Sequence, residues 1–153
     1  MSEKQEIFQG SDLTSHMEDY LESIIVLSGK HRVVRVKDIA QNLNIKMPSV
    51  TAALNKLKEM ELIEYEKYGF IELTEKGKDI AERIYFRHRS LTDFFFQVLM
   101  LDRESADLEA CKVEHSLSPE AFQKIYLLFQ FIQTEEADGK EWTQALKKIM
   151  REL

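Results

Sequence analysis

Three side chains in the second half of this 153-residue sequence have types and spacing suited to holding a cation: Cys111, Glu114 and His115. Positions i, i+3 and i+4 share one face of a helix, so a thiolate, a carboxylate and an imidazole project together and can share a divalent metal ion. The same triplet also describes a solvated acidic helix face around a buried thiol, and alone it leaves both readings open. Asp19 and Glu22 repeat an i, i+3 carboxylate pair on an earlier segment, where an exposed acidic face is an equally good description. His88, within Tyr85-Phe86-Arg87-His88-Arg89, closes a helical stretch, a position where histidine commonly caps the helix or faces water.

The elements that must position these residues are mostly helices, since the apolar residues recur at three and four positions and only five glycines and two prolines interrupt them. Ser15 followed by Glu18 reads as a capping box, with Tyr20, Leu21, Ile24, Ile25 and Leu27 as the apolar face and Gly29 as the stop. Val36 to Leu43 reads as a short helix that turns at Asn44. Pro48 then opens a second helix, with Val50, Leu54 and Leu57 inward and Ala40 small enough for close packing. Ile63 to Leu73 alternates apolar and polar residues around Gly69, the pattern of a β-hairpin. A long helix follows Thr74 and Gly77 through Arg87 toward Leu99. Three more are expected, from Ser105 to His115, from Ser118 as N-cap with Pro119 to Gln133, and from Lys140 to Leu153, the last anchored by Trp142.

A helix-turn-helix followed by a hairpin is the order of a winged helix, in which the second short helix enters the major groove. Charge supports that reading locally, although the net charge of −6 alone argues against a nucleic-acid coat. From Lys30 to Lys58 there are seven Lys or Arg and one acid, a local +6 that leaves −12 for the remainder. Lys46, Met47, Pro48, Ser49, Thr51, Ala52, Asn55 and Lys56 are the expected recognition residues, because the start of such a helix reaches base edges. Lys30, Arg32, Lys37, Lys56, Lys58 and Lys67 suit phosphate contacts. The fold expected is mainly α. Residues 1–77 form a winged-helix DNA-binding domain with a small wing, and residues 78–153 an all-helical metal-binding and dimerisation domain. The stripe Phe122, Ile125, Tyr126, Leu128, Phe129 and Ile132 is wider than one small helical layer needs and reads as core plus the interface of a homodimer.

A single cysteine excludes an internal disulfide and fits a reducing compartment, with the cytoplasm as default. The longest apolar stretch, Phe94 to Leu101, is broken by Gln97 and too short to span a bilayer, so no membrane partner is expected. His16 reads as a frayed N-terminal residue and His31 as part of a loop.

Taken in order, Met17-Glu18-Asp19-Tyr20-Leu21-Glu22, Val36-Lys37-Asp38-Ile39-Ala40 through Pro48-Ser49-Val50-Thr51, Leu73-Thr74-Glu75-Lys76-Gly77, Arg87-His88-Arg89 and Glu109-Ala110-Cys111-Lys112-Val113-Glu114-His115 are specific. Over about Met17 to Gln133 the chain resembles the diphtheria toxin repressor-like, iron- or manganese-dependent transcriptional regulators, including the manganese transport regulators. The resemblance implies that Asp19, Glu22, His88, Cys111, Glu114 and His115 are ligands of one metal site. Asp19 and Glu22 match the manganese branch, whereas Cys111 stands where that branch usually has Glu and matches the iron branch. Asp107 and Thr92 stand where the iron branch has a histidine and a glutamate of an ancillary site. A two-domain form without that branch's third, SH3-like domain is expected.

The resulting expectation is a homodimeric repressor that binds a palindromic double-stranded DNA operator when metal-loaded and controls metal-uptake genes, without an organic cofactor. Fe²⁺ is the expected metal because thiolate is the softer donor; Mn²⁺ is the alternative, and Co²⁺ or Zn²⁺ would bind in vitro. Two rivals are a winged-helix repressor answering a small organic ligand and a dinuclear metallohydrolase.

Overall fold

The computed structural model describes residues 7–8, 10–66 and 69–152, which contain seven helices and one two-stranded sheet. They form two compact units: Ser11–Tyr85, and Phe86–Leu153 together with the N-terminal stretch up to Gly10.

The first unit opens with α1 (Ser15–Ser28), followed by α2 (Val36–Asn42) and α3 (Met47–Glu59), then β1 (Ile63–Tyr65), β2 (Ile71–Leu73) and the start of α4 (Glu75–Gln97). Helix α1 begins where the sequence places it, but its cap is not the Ser15/Glu18 box. Thr14 is the N-cap, and Glu18 is buried and accepts a 2.5 Å hydrogen bond from the Ser11 hydroxyl. The apolar face of α1 carries Glu18 inward, so its carboxylate serves the chain before the helix rather than the helix end. Asn44 takes φ +53°, the left-handed conformation the turn between α2 and α3 requires.

The strands pair antiparallel with Ile63 opposite Leu73 and Tyr65 opposite Ile71, and Val34 adds a bridge to Ile71. Leu21, Ile24, Ile39, Val50, Leu54 and Leu57 meet Leu62, Ile63, Ile71, Ala81 and Ile84 in one continuous core. Gly77 is required here. A Cβ on it would lie 1.8 Å from the Leu62 carbonyl oxygen, while Thr74 accepts from the Gly77 amide at 3.0 Å and donates to the Glu61 carbonyl at 2.8 Å.

The second unit holds the end of α4 with α5 (Arg103–Glu114), α6 (Pro119–Ala137) and α7 (Glu141–Glu152). Helix α5 starts two residues before the expected Ser105. Asp102 is the cap and accepts from both the amide (3.0 Å) and the hydroxyl (2.6 Å) of Ser105, which lowers its carboxyl pKa below the ordinary value. Ser118 caps α6 through the Ala121 amide at 3.1 Å with Pro119 in the first turn, and the helix continues to Ala137. Helix α7 ends at Glu152; Leu153 lies outside the described residues.

The sequence boundary at 77/78 marks the change from hairpin to helix, whereas the two units meet inside α4, between Tyr85 and Phe86. The reason is packing: Ala81 and Ile84 belong to the first core, and Leu91 and Val98 to two smaller cores of the second unit. Phe8 also belongs to the second unit, with its ring 5.7 Å from Phe122, 5.5 Å from Tyr126 and 6.1 Å from Phe86. None of the described helices is long and apolar enough to cross a membrane.

Candidate metal centre and nucleic-acid interface

In the second unit, α4 and α5 bring His88, Glu114 and His115 together. Glu114, the last residue of α5, is 1% exposed at its side chain. Its Oε2 lies 3.1 Å from His88 Nδ1, and its Oε1 lies 3.5 Å from His115 Nε2. Among the described residues, Glu114 Oε1 is a buried side-chain oxygen without a hydrogen-bond partner. Native interiors rarely leave such an atom unmatched unless a bound group completes it. A buried carboxylate between two imidazoles, with one oxygen unmatched, offers oxygen and nitrogen donors that fit a divalent cation.

The surroundings fix this arrangement. Arg87 is buried, donates to the Glu114 carbonyl at 3.3 Å and lies over the Phe122 ring at 5.9 Å, holding the end of α5 against α4. Asp107, about two turns earlier on α5, sits 3.0 Å from His88 Nε2, and the buried Thr92 hydroxyl lies 3.4 Å from the same nitrogen. Cys111 is exposed, which removes the reading of a buried thiol.

In the first unit, Asp19 and Glu22 are half-buried on one side of α1. His16 is 93% exposed and stands 3.8 Å from Asp19. Burial first, and the Asp19 carboxylate second, raise the pKa of the neighbouring Tyr20 phenol.

Helix α3 buries Val50, Leu54 and Leu57 and leaves Lys46, Met47, Pro48, Ser49, Ala52, Asn55 and Lys56 exposed, with Thr51 half-buried. This is the division a recognition helix needs. Thr51 donates its hydroxyl hydrogen to the Met47 carbonyl at 3.1 Å, so outward it offers a methyl group and acceptor lone pairs. Lys37 is exposed at the start of α2. Lys58 has a different place from the one expected. It donates to the Tyr65 carbonyl at 2.8 Å and thus ties α3 to the wing. Lys67 lies outside the described residues.

Sequence reasoning missed Arg35. It precedes α2, its guanidinium carbon lies 5.5 Å from the centre of the half-exposed Phe70 ring, and it lines an open cavity of about 380 Å³ with Lys37, Met47, Thr51, Tyr65 and Gly69. The one available signal was its place in the basic stretch.

These two sites define a winged-helix regulator joined to a helical unit with a cation site. Residues 12–71 match the iron dependent repressor, N-terminal DNA binding domain, and residues 74–143 match the iron dependent repressor, metal binding and dimerisation domain. The chain belongs to the iron-dependent repressor family, whose members are metal-dependent, DNA-binding transcriptional regulators and not enzymes. It is 36% identical over 135 residues to the HTH-type transcriptional regulator MntR of Bacillus subtilis, covering 88% of this chain and 94% of that one. MntR of Bacillus velezensis matches with the same identity and coverage. Among solved structures, the manganese regulator SloR superposes with a TM-score of 0.67 at 27% identity, over 78% of this chain and 55% of that one. IdeR of T. acidophilum gives 0.63 at 27% identity, over 79% and 56%. The chain thus spans about half the length of these two structures. Family membership sets aside both the hydrolase and the organic-ligand reading.

Proposed function

We propose that this chain represses metal-homeostasis genes in the cytoplasm by binding a palindromic operator as a metal-loaded homodimer, and that Asp19, Glu22, His88, Cys111, Glu114 and His115 are its metal ligands. The observation that carries this reading is the buried Glu114 carboxylate between two histidines, its Oε1 without a hydrogen-bond partner among the described residues. The bound cation supplies the positive charge that a buried carboxylate otherwise lacks. His88 and His115 contribute neutral nitrogen donors, and Asp19 and Glu22 add hard oxygen donors from α1. Occupation of the site restrains the recognition helices of a dimer to the spacing that successive major grooves require.

On the DNA side, Ser49, Thr51, Ala52 and Asn55 address base edges. Lys37, Lys46, Lys56 and Arg35 address phosphates, with Lys67 assigned there from sequence. Phe70 holds the Arg35 guanidinium from one side, which orders it without neutralising it. Leu127, Leu128 and Phe131, exposed along α6, supply the apolar contact between two copies.

The activating metal we propose is Fe²⁺, because the exposed Cys111 thiol one turn before Glu114 adds a soft donor. Mn²⁺ is the second reading, favoured by the likeness to the manganese regulator SloR. The test is anaerobic binding to DNA selected from a random pool, titrated with free Fe²⁺ and Mn²⁺ and repeated with Cys111→Glu. Response at lower free Fe²⁺, and a shift toward Mn²⁺ in the variant, supports the iron assignment. An unchanged ratio assigns selectivity elsewhere.

A further inference from the structure

The family match starts at residue 12, and the described residues before it include Phe8, an aromatic side chain with a defined seat. Its ring lies among Phe86 of α4 and Phe122 and Tyr126 of α6, with centres 5.5 to 6.1 Å away. Those three rings are 5.1 to 6.4 Å from one another, so they form a socket that Phe8 closes. Gly10 continues past the first turn of α6, where a Cβ on it would meet the Pro119 ring at 3.7 Å. Chain ends are ordinarily poorly ordered unless something ties them down, and here the socket does so.

The socket is continuous with the end of α5. The buried Phe122 shares a core with Leu91 and Ala110, and Phe8, Val113 and Leu117 all pack against that core. Val113 and Leu117 flank Glu114 and His115 in sequence. Phe122 also carries Arg87, whose guanidinium carbon lies 5.9 Å from the ring centre and which donates to the Glu114 carbonyl at 3.3 Å.

We propose that Phe8 is a positioning residue for the cation site: docked in its socket, it holds Phe122 and, through Phe122 and Arg87, fixes the Glu114 end of α5. Without its ring a void opens beside Phe122, and close-packed neighbours relax toward such a void. Arg87 and the last turn of α5 then lose part of their support. Residues before the DNA-binding unit in sequence thus serve the metal-binding unit, to which they belong by packing. The inference rests on the metal reading above, but its first test needs no metal.

The Ser116 and Leu117 amides donate to the Val113 carbonyl at 2.9 and 3.1 Å and report on this end of α5. In the full-length, metal-free protein, Phe8→Ala should speed hydrogen exchange at both amides by about tenfold, while the Leu54 amide in the first unit keeps its wild-type rate. Phe8→Tyr, which keeps the ring, should match the wild type, and Phe8→Leu, which loses less packing than Phe8→Ala, should fall between. Titration with Mn²⁺ alone should show roughly 2- to 30-fold weaker binding for Phe8→Ala at unchanged stoichiometry, and no such loss for Phe8→Tyr. Unchanged exchange at Ser116 and Leu117 in Phe8→Ala overturns the proposal. So does equal acceleration in both units, which would make Phe8 a general stabiliser, or faster exchange at the end of α5 with unchanged Mn²⁺ affinity. A wild type that binds no Mn²⁺ contradicts the metal reading instead, and the exchange comparison still decides whether Phe8 holds the end of α5.

Discussion

In the DNA-binding unit, sixteen buried apolar side chains form one core from Tyr20 to Ile84, whereas the metal-binding unit gathers buried apolar residues into two clusters of three, around Leu91 and around Val98, with Ala106 buried outside both. The second unit also buries Arg87, Ser90, Thr92 and Glu114, and it exposes Leu127, Leu128 and Phe131 on α6. One large, continuous apolar core makes the first unit a platform for a recognition helix. The second unit is unfinished by the same standard. Its interior holds a carboxylate oxygen without a hydrogen-bond partner among the described residues, and its surface holds an exposed apolar face. The proposed cation site at Glu114 thus falls in the unit with the smaller apolar cores.

The contrast breaks first at Glu114. Glu114→Gln should weaken Mn²⁺ binding by more than about a hundredfold, beyond the loss typical of an outer-shell partner, as titration calorimetry would show. In chelator the same variant should melt no lower than the wild type, because a buried, unmatched charge has been removed. A lower melting temperature would mean that Glu114 is a structural anchor.

The exposed face of α6 comes next. Leu128→Glu combined with Phe131→Glu should convert the dimer to monomer in sedimentation, since each apolar interface anchor is worth on the order of 2 kcal/mol. The wild type should stay dimeric in excess chelator, because burial of an apolar face does not depend on the cation.

The platform itself is tested at Gly77. Gly77→Ala should destabilise the first unit by about 1–3 kcal/mol through the collision with the Leu62 carbonyl, measured by denaturant unfolding. Metal binding by the second unit's histidines should change less.

Ser118→Ala, which removes the cap of α6, gives the smallest effect, about 1 kcal/mol in the same measurement, and leaves the first unit's unfolding unchanged.

Most of the first unit was legible because its signals are local. Asn44 marked the turn, Pro48 the start of the recognition helix, and the alternation from Ile63 to Leu73 the wing. Ser118 followed by Pro119 likewise announced α6. Less legible were features set by partners distant in sequence. Ser15 and Glu18 looked like a capping box because spacing cannot show that Glu18 faces inward toward Ser11. Ser105 looked like the start of α5 because Asp102, the stronger acceptor, stands just before it. The stripe on α6 was visible, but its division into buried Phe122, Phe129 and Ile132 and exposed Leu128 depends on what packs above it.

The candidate site divides in the same way. Glu114 and His115 stood out by their spacing with Cys111, whereas His88 near Glu114, with Asp107 behind it, is a meeting of two helices that no local pattern contains. Trp142 was legible as an anchor and does stack on Phe131, 6.0 Å between ring centres, yet remains 41% exposed.

The most direct test of metal control is fluorescence anisotropy of selected DNA with the full-length protein, under anaerobic conditions, in chelator and then in excess Fe²⁺ or Mn²⁺. The wild type is expected to bind at least about a hundredfold more tightly with metal, about the largest factor that coupling between two sites ordinarily supplies, while Glu114→Gln binds weakly in both conditions. Equal affinity of the wild type in chelator and in metal would contradict it.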